Sequence, residues 1–259
     1  MQPPPSRPCA AAVALLAALL ALGGCSTSKA PTTWGEVQGA EFKRGELLQS
    51  DSNRITQVTM EANIASLMLL ADKLYRRNPA EWKKTASSRE AALAAVHFAM
   101  TAPPQEGEGG SDAGLPWAPL AGQRDTAALS LALSPAFAGD RVAAFIIACA
   151  DTIITAHGGR REFYYLHGVD PQYLYNAARN METALWILNT RRDAAGAPML
   201  FANELQGDTR NLSFEREFGK IIGRLDLLAS YLTERFRRTA INYVQSLAVT
   251  PVLGFLPVR

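Results

Sequence analysis

The sequence predicts an all-α fold, a bundle of about six or seven main helices within residues 49–259, and three observations carry that reading. Apolar residues recur at alternating steps of three and four along several long segments, the repeat that aligns side chains on one helix face. Helix start and stop signals bracket those segments. Strand-like alternation is confined to Glu162–Leu166, and no longer repeat marks a solenoid. With 48% apolar and 19% charged residues, the chain has enough apolar surface for a sizeable core.

The first long helix should begin near Ser52. Met60, Ile64, Leu67, Ala71 and Leu74 align on one face, and Ile55, Val58, Ala62, Ala65 and Leu69 form a second apolar face, so packing on more than one side is expected. Asn78-Pro79 ends it, because proline disfavours helical geometry in the residue before it. A turn over Ala80–Lys84 follows. Ser87-Ser88-Arg89-Glu90 then has capping-box spacing and opens a helix through Met100. Residues 101–122 hold four prolines and five glycines, a long surface loop that is also a candidate subdomain break.

Asp125–Leu133 reads as a short helix stopped by Ser134-Pro135. Asp140 caps the next, which ends at Gly158-Gly159. Asp170-Pro171 is an N-cap followed by proline at the first helical position, opening a helix to about Arg192 with Leu174, Ala178, Met181, Leu185 and Leu188 inside. The last helix starts near Asn211–Ser213, with Phe214, Phe218, Ile221, Leu225, Leu228 and Leu232 as its inner stripe. A break or bend is expected near Arg237, with the helix resuming through Ile241, Val244 and Leu247, then a stop at Thr250-Pro251 and an apolar tail lying on the body. Gly219 and Gly223 suggest close approach of a neighbouring helix, since the charges around them exclude a membrane span.

The N-terminus is different in kind. One positive charge, Arg7, precedes the uninterrupted apolar run Ala10–Leu22, which is shorter than the roughly 20 residues needed to span a bilayer. A short charged segment followed by such a run is the pattern of an export signal. The run closes with Leu22-Gly23-Gly24-Cys25-Ser26, which resembles the lipobox of bacterial lipoproteins. That resemblance implies cleavage after residue 24 and acylation of Cys25 with chains such as palmitate. It also implies attachment of the mature protein to a membrane through this residue. Ser26, rather than Asp, at the second mature position implies the outer membrane, facing the periplasm. Residues 25–48 then form a polar tether that could span several tens of Å at about 3.3 Å per residue. The resemblance covers the first 26 residues only.

Charge and thiol content narrow the rest. Loss of Arg7 lowers the formal charge from +2 to +1, which gives no general attraction to nucleic acid. Cys9 leaves with the signal and Cys25 is consumed by it. Cys149 is then the lone mature thiol, a small buried hydrophobe in an apolar run.

Within the segment Asp140–His157 a stripe of Ala144, Ala148, Asp151 and Thr155 breaks an otherwise apolar surface. Asp151 is either a general base or metal ligand in a pocket left by the small residues, or a buried structural partner bonded to an arginine or to the N-terminus of another helix. The following loop carries His157 and His167 among aromatic residues, and a ligand or metal site built from Asp151, His157 and His167 is conceivable. Against it, no HExxH or other metal-ligand spacing occurs, and His157 also suits a helix C-cap. On the Asp170 helix, Tyr175, Arg179 and Glu182 share one face, and Tyr173, Asn176 and Asn180 another. Either face suits a groove for a polar ligand, although Arg179 and Glu182 also make an ordinary i,i+3 pair. No Gly-x-Ser-x-Gly is present, and Gly107–Gly114 lacks the Lys-Ser/Thr of a phosphate loop. No cofactor or resident metal is expected.

The leading expectation is a non-enzymatic binding or scaffold module of the cell envelope with a protein partner. The alternative is a ligand- or metal-binding protein or hydrolase centred on Asp151, His157 and His167. A third reading is a carrier of lipid or cell-wall fragments, whose mark would be an apolar tunnel.

Overall fold

The computed structural model describes residues 44–101, 118–120, 122–164, 167–204 and 211–253. The signal segment 1–24, Cys25, most of the tether, the greater part of the loop 101–122 and the tail after residue 253 lie outside the described residues. A short 3-10 turn occupies Arg44–Leu48.

Seven α-helices account for the architecture of the described residues: α1 (Asp51–Arg77), α2 (Pro79–Trp82), α3 (Arg89–Thr101), α4 (Asp125–Ala132), α5 (Arg141–Ala156), α6 (Pro171–Thr190) and α7 (Ser213–Leu253). The all-α expectation holds. The extended pairing described is limited to two isolated bridges, Arg192 with Pro198 and Glu204 with Asn211. Glu162–Tyr164 are irregular, and Tyr165 and Leu166 lie outside the described residues. Leu47–Arg259 cluster as one unit, so both flanks of the Pro/Gly-rich loop belong to the same body.

Helix α5 is the hub because its sequence is apolar nearly all round. It packs against α1, α2, α3, α4 and α6, and Phe145, Ile146, Ala148 and Cys149 are fully enclosed. Phe145 meets Phe218 of α7 at 6.3 Å between ring centroids. Burial holds the Cys149 thiol far above its ordinary pKa, so it stays protonated and unreactive.

The caps follow the sequence closely. The Ser50 hydroxyl accepts from Asn53 N at 3.3 Å and Asp170 from Gln172 N at 2.8 Å. Asp140 accepts from Ala143 N at 3.0 Å and from the Tyr75 hydroxyl at 2.7 Å. Glu81 reaches the same helix start, accepting from Arg141 N at 2.8 Å. The cap of α3 departs by one residue. Ser88, not Ser87, accepts from Ala91 N at 3.1 Å, so the third helical position is Ala91 and the Ser87–Glu90 pair is out of register for a capping box.

Four further expectations are corrected. The second apolar face of α1 is not packed within the bundle: Ile55, Val58 and Leu69 are exposed, while Ser52, Asn53, Thr56, Gln57, Asn63 and Ser66 are buried. Hydrogen bonds offset much of the cost of that burial, although the Asn63 amide nitrogen has no partner among the described residues. Thr56 donates to Ser52 O at 2.8 Å, and Arg224 of α7 reaches Ser66 at 3.0 Å. α7 is not interrupted at Arg237. The Arg237–Glu234 pair at 2.6 Å ties the turn, and the helix runs on to Leu253, past Pro251.

Gly219 and Gly223, finally, lie against no other helix: a Cβ at either would meet nothing within 4 Å. Glycine inside a helix costs about 0.5–1 kcal/mol relative to alanine. The double variant Gly219→Ala/Gly223→Ala should therefore be more stable by roughly 1–2 kcal/mol in urea unfolding. A loss of stability would mean that these positions are packed in the isolated protein.

Candidate functional site

The polar break in α5 is built from its own small-residue stripe and one residue of the α4 entry. Asp151 is buried and paired with Arg124, whose Nε lies 3.2 Å from Oδ2 and Nη2 3.3 Å from Oδ1. Arg124 Nη2 also donates to the Thr155 hydroxyl. Both oxygens of the carboxylate are thereby engaged in the bidentate geometry that favours arginine for such pairs. Asp151 is thus held as an ion pair rather than presented as an open base.

A cleft of about 350 Å³ adjoins this pair, between the C-terminal half of α5, the start of α4 and one face of α6. Thr152 and Thr155 supply hydroxyls, and Tyr173, Asn176 and Asn180 close the other side. The second polar face read from the α6 sequence therefore lines a real concavity. Its walls mix hydroxyls and amides with alanine, unlike an apolar lipid tunnel. Asp125, on the rim, has φ +49, a left-handed conformation that Asp tolerates better than most residues.

His157 is fully buried at the end of α5. Its Nδ1 lies 2.7 Å from Ile153 O and acts as the donor, its ring packs edge-on against Phe163 at 6.0 Å, and Nε2 has no hydrogen-bond partner. Desolvation pushes its pKa down to about 4, the backbone hydrogen bond opposing only in part. Gly158 and Gly159, at φ +74 and +70, turn the chain away immediately afterwards.

His167 belongs to a separate local turn. Its Nδ1 accepts from Tyr164 N at 3.1 Å and its ring meets the Tyr164 ring at 5.6 Å. Asp151, His157 and His167 do not converge, and no cluster of three potential metal ligands occurs among the described residues.

Arg179 lies over the Tyr175 ring at 4.9 Å and pairs with Asp226 of α7 at 2.7 Å and with Glu182 at 3.1 Å. These residues bridge α6 to α7 on a half-exposed surface. Tyr175 also borders a groove with Thr233 and Glu234 of α7.

Sequence reasoning missed the outer face shared by α1 and α7. Lys73 over Phe214 and Arg224 against Asn63 set an antiparallel register for these helices. That register brings Leu227 and Tyr231 to the level of Val58 and Ile55. All four are exposed, Leu227 at 72%, and Gly219, Gly223, Leu227 and Tyr231 form one i,i+4 ridge. The signal was in the sequence as the second apolar face of α1, which was assigned to the interior. No family model, curated protein or solved structure matches the chain.

Proposed function

We propose that the chain is an envelope lipoprotein, anchored through acylated Cys25 on the periplasmic side of the outer membrane. In this proposal its helical unit is a non-enzymatic binding or scaffold module. The observation that carries the module's role is the exposed α1–α7 face. Single exposed apolar residues need no explanation, but five on one seam (Ile55, Val58, Leu69, Leu227 and Tyr231) suit a partner surface. Glycines at 219 and 223 allow a partner helix to approach the α7 backbone. The partner is therefore an envelope protein presenting an apolar helix face. The pairing of Asp151 with Arg124 and the dispersal of His157 and His167 favour this reading over hydrolysis.

A photo-crosslinker placed at Val58 in intact cells tests it. One partner should be captured, and Leu227→Arg should abolish capture without lowering stability. Gly219→Ala/Gly223→Ala should weaken capture even as it stabilises the fold. Diffuse crosslinks unaffected by Leu227→Arg would end the proposal. Acylation is tested separately: labelled palmitate should enter the native chain and not the Cys25→Ala variant. A second reading, a small polar ligand in the Thr152–Asn176–Asn180 cleft, draws on the hydroxyl and amide walls. A ligand whose stabilising effect disappears in Asn176→Ala would favour it.

A further inference from the structure

The inner stripe of α7 does not stop where the bundle stops. Phe214, Phe218, Ile221, Leu225, Leu228 and Leu232 are buried, and the same face continues with Phe236, 59% exposed, and Tyr243, 66% exposed, with Val244 beside it at 64%. Every side chain from Thr233 to Thr239 is exposed, so the helix has left the core by its sixth turn. Arg235, Arg238 and Asn242 form a separate polar stripe beside that face, at steps of three and four.

The charge pattern is one-sided. Glu234 is the last acidic residue of the chain, and Arg235, Arg237, Arg238 and Arg259 follow it. Between Thr239 and Val258 there is no charged residue. A cationic turn leading into an uncharged amphipathic stretch is the make-up of a helix that lies in a membrane interface, its arginines at the headgroups and its apolar face at the acyl boundary. No helix among the described residues is long and apolar enough to cross a bilayer.

We propose that the projecting half of α7, from Arg235 through Val244, docks onto an anionic phospholipid surface. The excess of arginine selects that occupant: a second copy of this segment would bring like charges together, whereas anionic headgroups neutralise them. This contact lies beyond Tyr231 along α7, past the stretch that forms the α1–α7 seam, and needs no acyl chain, so its variants test it apart from both parts of the functional proposal.

The test uses the chain from Ser26 onward, which keeps the whole helical unit Leu47–Arg259 and cannot be acylated at Cys25. It is sedimented with vesicles of phosphatidylglycerol and phosphatidylcholine in equal parts, and with phosphatidylcholine alone. Binding is expected to the anionic vesicles and to weaken with added salt. Arg235→Gln/Arg238→Gln should bind about 30-fold more weakly, at about 1 kcal/mol for each surface cation, with unchanged melting. Phe236→Ser/Tyr243→Ser should lose binding as well. Absence of binding to the anionic vesicles overturns the proposal. So does equal binding to both vesicle types, or binding indifferent to the arginine variant. Self-association in solution that Phe236→Ser/Tyr243→Ser abolishes would assign the face to a second copy instead.

Discussion

Asp140→Ala is expected to lower the melting temperature by about 10 °C, at about 3 kcal/mol of lost stability in a domain of this size. The carboxylate is 1% exposed and does two things at once. It caps α5 through Ala143 N, and removal of such a cap costs typically about 1 kcal/mol. It also accepts from the Tyr75 hydroxyl at 2.7 Å and, more distantly, from Thr85 at 3.4 Å. Without it, a fully buried phenol would have no acceptor there, at a further cost of about 1–3 kcal/mol. Burial and the neighbouring Asp140 carboxylate both push the Tyr75 hydroxyl far above its ordinary pKa, so it remains a donor throughout the working range. Asp140→Asn should lose less, because its Oδ1 can keep the Ala143 cap while its amide NH2, in place of Oδ2, can donate to the Tyr75 oxygen. Tyr75→Phe should fall between the two. If Asp140→Ala melts within about 2 °C of the native protein, less than 1 kcal/mol at this domain size, the junction is not the keystone described here.

Acid should unfold the protein through His157. The ring has a pKa of about 4 when folded, against 6.5 for the free side chain. Between these values the unfolded chain binds the proton and the folded chain does not, so stability falls as pH drops. The contribution is fully present above pH 6.5, is lost progressively toward pH 4, and amounts to about 3 kcal/mol once lost. His157→Asn keeps a side-chain donor for Ile153 O and has no proton to gain. Its urea midpoint should therefore change less than that of the native protein between pH 7 and pH 4, a range chosen to bracket roughly the free and folded pKa values. Parallel pH profiles for the two proteins would remove His157 from the account.

Much of the bundle was legible because its punctuation is local. Asp140, Asp170-Pro171 and Gly158-Gly159 act within one turn of themselves, and the structure places the ends of α5 and α6 accordingly. What could not be read depended on distant partners. Asp151 invited a cation, but Arg124 lies 27 residues away and nothing in its neighbourhood marks it. The first apolar face of α1 meets the core as its spacing predicts, but the second does not, because periodicity shows that a stripe exists and not whether anything covers it. The structure buries Thr56, Asn63 and Ser66 on hydrogen bonds and leaves Ile55 and Val58 outside. In α7 a run of arginines looks like an interruption and Thr250-Pro251 like a stop, yet the helix is continuous to Leu253. Arginine is a good helix former, and a proline in the last turn of a helix this long removes little that the preceding turns do not supply. Of the candidate site, the Tyr173–Asn176–Asn180 face was readable from helical spacing, and the cleft it lines was not.

The two halves of α1 should also answer temperature differently. Its N-terminal half is held by buried hydroxyls and amides from Ser52 to Ser66, its C-terminal half by Leu67, Leu70, Ala71, Leu74 and Tyr75. Exposing apolar surface raises the heat capacity and exposing polar surface lowers it, so the two ends enter the unfolding heat capacity with opposite sign. Cooling weakens apolar cohesion while leaving hydrogen bonds in place. In the cold, the apolar contacts of Leu67, Leu70, Ala71 and Leu74 are therefore expected to weaken more than the polar contacts nearer Ser52, so cold sensitivity should vary along the helix.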